Sequence, residues 1–194
     1  FGTLNFYTYG GFNAGNLVIL AARPSVGKTA IMLHMAKAAA SAGKNVNIFS
    51  LEMTNQELVQ RFLSSESDAL NQWSMAKGDI EWSAFEMAAG NLSSKPIYLN
   101  DSARSIEDIS QRITLNSMAK KCDIAFIDYL GLIKLGKIGN LSQAIAECTR
   151  DLKALAKSCK IPIVLLCQLN RASASEKRAP ELYDLRDSGG IEQD

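Results

Sequence analysis

Between an apolar run, Leu17 to Ala22, and an Ala-rich helical stretch opening at Lys28, the chain reads Ala22-Arg23-Pro24-Ser25-Val26-Gly27-Lys28-Thr29. With Ala22 in place of the first glycine, this matches the phosphate-binding pattern G-x-x-x-x-G-K-[ST]. The residue types suit a polyphosphate. Backbone N–H groups at a helix N-terminus, wrapped by a compact loop, present a concave positive surface to a β-phosphate. Lys28 adds a mobile cation for the β and γ oxygens, and the Thr29 hydroxyl can ligate Mg²⁺. Gly27 lacks a Cβ, so a phosphate can come close to its backbone. At average residue usage such a pattern arises by chance in roughly one or two per cent of chains this long. Its place between a strand and a helix lowers that further, which disfavours an ordinary turn with an exposed lysine.

Three strand ends carry further candidates. Asp123-Ile124-Ala125-Phe126-Ile127-Asp128 ends an apolar strand on a carboxylate, and beside a phosphate loop Asp128 is placed to hold Mg²⁺ through water. Glu52 closes the run Val46 to Leu51 and could accept a proton from a water attacking a γ-phosphate. Taken alone, it is equally a helix-capping or solvated glutamate. Gln168 ends the run Ile161 to Cys167 and could donate a hydrogen bond to a γ-phosphate; a strand-end amide satisfying backbone groups is the plainer alternative. His34 has no metal-ligand partners and reads as a packed or partly exposed helix residue. Met32, Met35, Met53 and Met118 read as gap-filling core.

The elements that must position these groups follow an α/β pattern. Short apolar runs rich in β-branched residues, namely Leu17 to Ala22, Val46 to Leu51, Pro96 to Leu99, Ile124 to Ile127 and Ile161 to Cys167, suit strands covered on both faces of a mostly parallel sheet. Helices separate them. Lys28 to Ala42 ends at Gly43, a natural C-terminal stop. Thr54 with Glu57 predicts a capping box ahead of Leu58, Val59, Phe62 and Leu63. Ser105 with Asp108 predicts the same before Ile106, Ile109, Ile113 and Met118. Ser142 precedes Ile145, Cys148, Leu152, Leu155 and Cys159, an amphipathic face. Residues 68–94 read as short helices over the sheet edge, and Gly131 to Asn140 and Arg171 to Pro180 as mobile loops.

Composition narrows the function classes. With 21 Lys+Arg against 20 Asp+Glu the net charge is +1, so no global basic field wraps nucleic acid and any contact with it must be local. The longest fully apolar run falls far short of the roughly 20 residues of a membrane span. Four cysteines without a C-x-x-C pair read as reduced, packed thiols, which suits a cytoplasm. The chain opens on Phe1 without a secretory signal pattern, which reads as an excised domain.

Taken together, residues 22–29, Ser-Leu-Glu-Met at 50–53, Ile-Asp-Tyr-Leu at 127–130, Gln-Leu-Asn-Arg at 168–171 and the segment from Asp184 to Asp194 resemble the C-terminal motor domain of DnaB-family replicative DNA helicases. The order and spacing fit nearly the whole chain. The resemblance implies a single RecA-like domain over residues 1–194, with the family's N-terminal primase-interacting domain absent. It implies a P-loop NTPase fold with helices on both faces, working as a homohexameric ring. Such a ring hydrolyses ATP with Mg²⁺ at subunit interfaces and draws single-stranded DNA through its centre at the replication fork, with primase and a helicase loader as partners. Residue by residue, it makes Lys28 and Thr29 the phosphate and Mg²⁺ residues, Glu52 the base, Asp128 the second Mg²⁺ residue and Gln168 the γ-phosphate sensor. Arg186, Asp187 and Gly189 fall in the family's DNA-holding channel loop. A few phosphate contacts per subunit, multiplied around a ring, remove the conflict with the +1 charge.

Departures from the family pattern bear on activity. Asp187 stands where the family commonly has Glu, and Gly131 to Asn140 is short for its loop. The chain stops at Asp194, before the position of the family's trans-acting arginine finger, so weak hydrolysis is expected of this segment alone. Two alternatives remain open at this point: a RecA-like recombination or repair ATPase, and a nucleotide-gated DNA-binding or loader module without translocation. A small-molecule kinase lacks a convincing lid.

Overall fold

The structure, a computed structural model, describes residues 10–23, 25–128 and 141–169. Among these residues five strands, β1 (Leu17–Ala22), β2 (Val46–Ser50), β3 (Ile97–Asn100), β4 (Ile124–Asp128) and β5 (Ile163–Gln168), form one sheet in the order β1-β5-β4-β2-β3. Every pairing is parallel. Six helices accompany them among the described residues: α1 (Lys28–Ser41), α2 (Asn55–Ser64), α3 (Gln72–Lys77), α4 (Trp82–Ser93), α5 (Ile106–Met118) and α6 (Leu141–Cys159).

Alternation along the strands sorts the core into two layers. Phe49, Ala125, Ile127, Ile163, Leu165 and Cys167 face Ile106, Ile109 and Ile113 of α5 and Cys148, Leu152 and Ala156 of α6. Their neighbours Val46, Ile48, Ile124, Phe126, Val164 and Leu166 face Met32, Leu33, Ala36 and Ala40 of α1 and Leu58 and Phe62 of α2. Each such large aliphatic or aromatic side chain contributes about 1.5–3 kcal/mol by burial. Both faces are therefore covered, as the unbroken apolar runs require.

Helix ends largely follow the sequence signals. Gly43 takes a left-handed φ of 76° just past α1. At α2 the capping box closes in both directions: the Glu57 backbone N–H donates to Thr54 Oγ1 at 3.3 Å, and the Thr54 N–H donates to Glu57 Oε2 at 2.7 Å.

Several expectations are corrected. Ser105 caps α5 by accepting from the Asp108 N–H, but the Asp108 carboxylate pairs forward with Arg112 at 2.9 Å rather than returning to the cap. Met118 is 77% exposed, because it lies at the end of α5 past the face that Ile109 and Ile113 bury, and Val59 is likewise exposed. Ser142 lies inside α6, ahead of the buried Cys148, Leu152 and Ala156. Of the short helices expected over the sheet edge, α4 packs Leu92 against the layer that includes Val46 and Ile48, while its Ala84 and Ala88 pack with Leu63 and Leu70 in a satellite cluster, leaving Trp73 and Trp82 exposed. The expected loops at 131–140 and 171–180 lie outside the described residues.

Candidate nucleotide site

The parallel register brings the candidate residues to one edge. Ala22 at the end of β1 pairs with Gln168 at the end of β5, and Ser50 at the end of β2 pairs with Asp128 at the end of β4. This carboxyl edge of an open α/β sheet, where the strand order forces the crossovers apart, is where such folds bind ligands. An open cleft of about 520 Å³ lies there, lined by Arg23, Lys28, Thr29, Glu52, Arg61 and Gln168 among others.

The phosphate loop is built by backbone conformation. Gly27 caps α1 with φ 94° and ψ 22°, a left-handed geometry that a side chain would strain. A Cβ there would meet nothing within 4 Å, so conformation and ligand space, not packing, select the glycine. Ser25 also has a positive φ of 62°. Such left-handed non-glycine residues cost of order 1–3 kcal/mol and concentrate at ligand clamps. Beyond the loop, the N–H groups of the first turn of α1 form a cradle suited to an anion.

Asp128 joins this loop to the sheet. It is completely buried. Thr29 Oγ1 donates to its Oδ2 at 2.7 Å, and Lys28 Nζ lies 3.0 Å from its Oδ1. The lysine contact is an ion pair without hydrogen-bond alignment, so Oδ1 keeps accepting capacity. A hydroxyl and a carboxylate in contact form a hard oxygen donor pair, which fits Mg²⁺; that ion takes only one or two protein oxygens when phosphates and water supply the rest.

Glu52 sits in the short segment between β2 and α2. It is exposed to the cleft. The Leu51 N–H donates to the Asp128 carbonyl at 2.7 Å, and Ser50 Oγ closes the turn by accepting from the Met53 N–H at 3.1 Å and donating to its carbonyl at 2.7 Å. The general-base candidate and the Mg²⁺ candidate are thus fastened through adjacent backbone. Gln168 reaches the same cleft from β5.

Two charged cleft residues, Glu57 and Arg61, carry no site signal of their own in the sequence. Glu57 was read only as a cap, and Arg61 carried no motif. Their spacing of four on α2 was the available signal, since it puts both on one helix face. Arg61 Nε is buried without a hydrogen-bond partner. The Thr54 N–H, then the Thr54 hydroxyl, with a smaller share from the Arg61 charge, hold the Glu57 carboxyl below its ordinary range. Pro24 and the proposed DNA-contacting residues Arg186, Asp187 and Gly189 lie outside the described residues. His34 is exposed on α1 and lines a separate groove with Arg61, Ser64 and Ser65.

A family model described as the DnaB-like helicase C terminal domain matches residues 1–194. The replicative DNA helicase DnaB of Helicobacter pylori (strain ATCC 700392 / 26695) is 40% identical over 198 residues, covering 98% of this chain and 40% of that protein. That of Geobacillus stearothermophilus is 38% identical over 192 residues, covering 95% and 42%. Among solved structures, one described as an ATPase domain superposes with a TM-score of 0.90 at 33% identity, covering 100% of this chain and 71% of that one. A DnaB-like replicative helicase described with its interactions with primase gives 0.90 at 32% identity, covering 100% and 48%. The chain spans about two-fifths of the length of the curated replicative helicases it matches.

Proposed function

Because the chain belongs to the family of DnaB-like helicase C-terminal domains, and its fold is that of their RecA-like ATPase domains, we propose that it is the ATP-hydrolysing motor of a replicative DNA helicase. The observation that carries this reading is the convergence of Lys28, Thr29, Glu52 and Gln168 on one cleft, with Asp128 fixed behind it.

The roles follow from charge and position. The first-turn N–H groups and Lys28 receive the β- and γ-phosphates. An anionic phosphate competes with Asp128 for the lysine ammonium, so binding exchanges one ion pair for another. Thr29 and Asp128 would hold Mg²⁺, which would neutralise phosphate charge. Glu52 takes the proton from the attacking water as the bond to the γ-phosphorus forms and the bond to the ADP oxygen breaks. Gln168 donates to the γ-phosphate and couples its presence to β5, which precedes Arg186, Asp187 and Gly189 in the sequence. The last three are proposed to hold the backbone of single-stranded DNA, on the strength of the resemblance.

In this reading the chain works within a homohexameric ring, with primase and a loader as partners, in the cytoplasm at the replication fork. The solved relative described with primase supports the partner. No helix among the described residues is long and apolar enough to cross a membrane.

The test is Mg-ATP turnover against protein concentration, with and without single-stranded DNA, in the intact protein that carries this domain. Lys28→Ala and Glu52→Gln serve as blanks. Turnover that rises cooperatively, is stimulated by the strand and is lost in both variants is expected. Turnover flat in concentration and DNA would overturn the motor reading in favour of a nucleotide-gated binding module.

A further inference from the structure

Glu52 lies on a short arm with two ends. Its β2 end is tied into the sheet centre by the Leu51 to Asp128 backbone bond. The α2 end is held by a residue far along the chain: the Asn55 N–H donates to Asp101 Oδ2 at 2.8 Å, and Asn55 Nδ2 donates to Asp101 Oδ1 at 3.1 Å. Asp101 follows β3 directly, and β3 is hydrogen-bonded to β2. Its own place is set on both sides. Asn100 Oδ1 accepts from the Ser102 and Ala103 N–H groups at 3.2 and 2.9 Å, and Ala103 is buried in the α5–α6 core layer.

We propose that Asp101 is a positioning residue for Glu52, clamping the first residue of α2 so that the glutamate arm is fixed at both ends. This inference rests on the proposed role of Glu52. The two-point grip is geometric: one carboxylate meets a backbone and a side-chain donor of the same residue, which fixes the angle at which α2 leaves the arm as well as its distance. A carboxylate at a helix N-terminus also complements the local positive potential, and the two contributions are separable. Asn55 Oδ1 is buried without a partner. If Asp101 becomes asparagine, its Oδ1 can still accept from the Asn55 N–H. A flipped Asn55 amide then presents that orphaned Oδ1 to the new Nδ2. The uncharged isostere can therefore keep both hydrogen bonds, whereas alanine keeps neither.

The experiment is steady-state ATP turnover of the intact protein, with nucleotide affinity measured separately by titration of a fluorescent ATP analogue. Misplacement of a reacting group by about 1 Å can cost about 100-fold in rate. Asp101→Ala is accordingly expected to lower kcat by about 10- to 100-fold with affinity retained, because the phosphate loop is a separate element. Asp101→Asn is expected to restore most of kcat. Asn55→Ala, which keeps the backbone donor and removes one bond, is expected to fall between and gives a second measure should Asp101→Ala fold poorly. Equal loss in Asp101→Asn and Asp101→Ala would overturn the proposal in favour of a charge effect, and parallel loss of kcat, affinity and thermal midpoint would reduce Asp101 to a general structural tie. Wild-type protein inert toward Mg-ATP would overturn the motor reading itself. Turnover abolished by Glu52→Gln but unaffected by Asp101→Ala and Asn55→Ala would overturn the placement of Asp101 alone.

Discussion

Replacing Lys28 by alanine is expected to destabilise the folded protein before any nucleotide is involved. At 3.0 Å and an effective dielectric of about 20, the attraction between Lys28 and Asp128 is about 5–6 kcal/mol gross. Most of that offsets the desolvation of a carboxylate with no exposure to water. What truncation removes is the counter-ion, and stranding one partner of a buried pair costs about 3–5 kcal/mol. The Lys28 side chain retains 12% exposure and the Thr29 hydroxyl still donates to Asp128, so the expected loss is smaller, about 2–3 kcal/mol. With a urea dependence of about 2 kcal/mol per molar, the unfolding midpoint should fall by about 1 M. Asp128→Asn should cost less, since the lysine head can turn to solvent. The double variant should recover about 1–2 kcal/mol relative to additivity. An unchanged midpoint for Lys28→Ala, or singles that add to within about 0.5 kcal/mol, would refute the reasoning. The outcome bears on method as well: Glu52→Gln, whose side chain is exposed, is the cleaner blank for activity.

Other expectations follow from single features. Gly27→Ala should fold, because nothing crowds the new Cβ, yet lose about 1–2 kcal/mol from the left-handed backbone and most of its nucleotide affinity; thermal melts beside a binding titration check both. Thr54→Ala should cost about 1 kcal/mol by removing the cap of α2. Thr54 also holds the Glu57 carboxyl below 4.5, so the stability that this carboxylate contributes is fully present above pH 4.5 and lost as pH falls through its lowered value. The same variant should therefore flatten the acid limb of a stability–pH curve. Burial pushes the thiols of Cys122, Cys148 and Cys167 up to about 12. Cys159, which is only partly buried, should take up iodoacetamide first in native protein at pH 8, as peptide mass spectrometry would show.

What could be read from the chain was what lies close in sequence. The phosphate loop, the Thr54–Glu57 box and the stop at Gly43 are local patterns whose chemistry is complete within a few residues. Strand ends Asp128 and Gln168 were legible because a parallel sheet has one ligand-binding edge and the phosphate loop marks which. Glu52 was ambiguous alone and became specific once Ser50 stood opposite Asp128. Asp101 could not be found this way, for its partner Asn55 belongs to another element and no spacing relates them. Arg61 was missed because a lone arginine on an amphipathic helix resembles any solvated face. Met118 misled by hydrophobicity: helix register, not residue type, decides which side it takes. The segment carrying α3 and α4 has its own small core around Leu70 and reaches the sheet layer through Leu92, so its pattern follows no single face.

The sheet order has a consequence for how the protein is made. Leu17, in the first of the described strands, pairs with Ile163, in the last of them. Among the described residues β1 has no other neighbour in the sheet. A nascent chain leaving the ribosome therefore carries β1 and its apolar surface unpaired while β2, β3 and β4 are synthesised, and long-range parallel pairing of this kind forms slowly. The candidate nucleotide cleft, anchored on β1 at one side and Gln168 at the other, is complete only after β5 has emerged. Until β5 is made, a chain in synthesis thus lacks one wall of the candidate nucleotide cleft and keeps the pairing edge of β1 open.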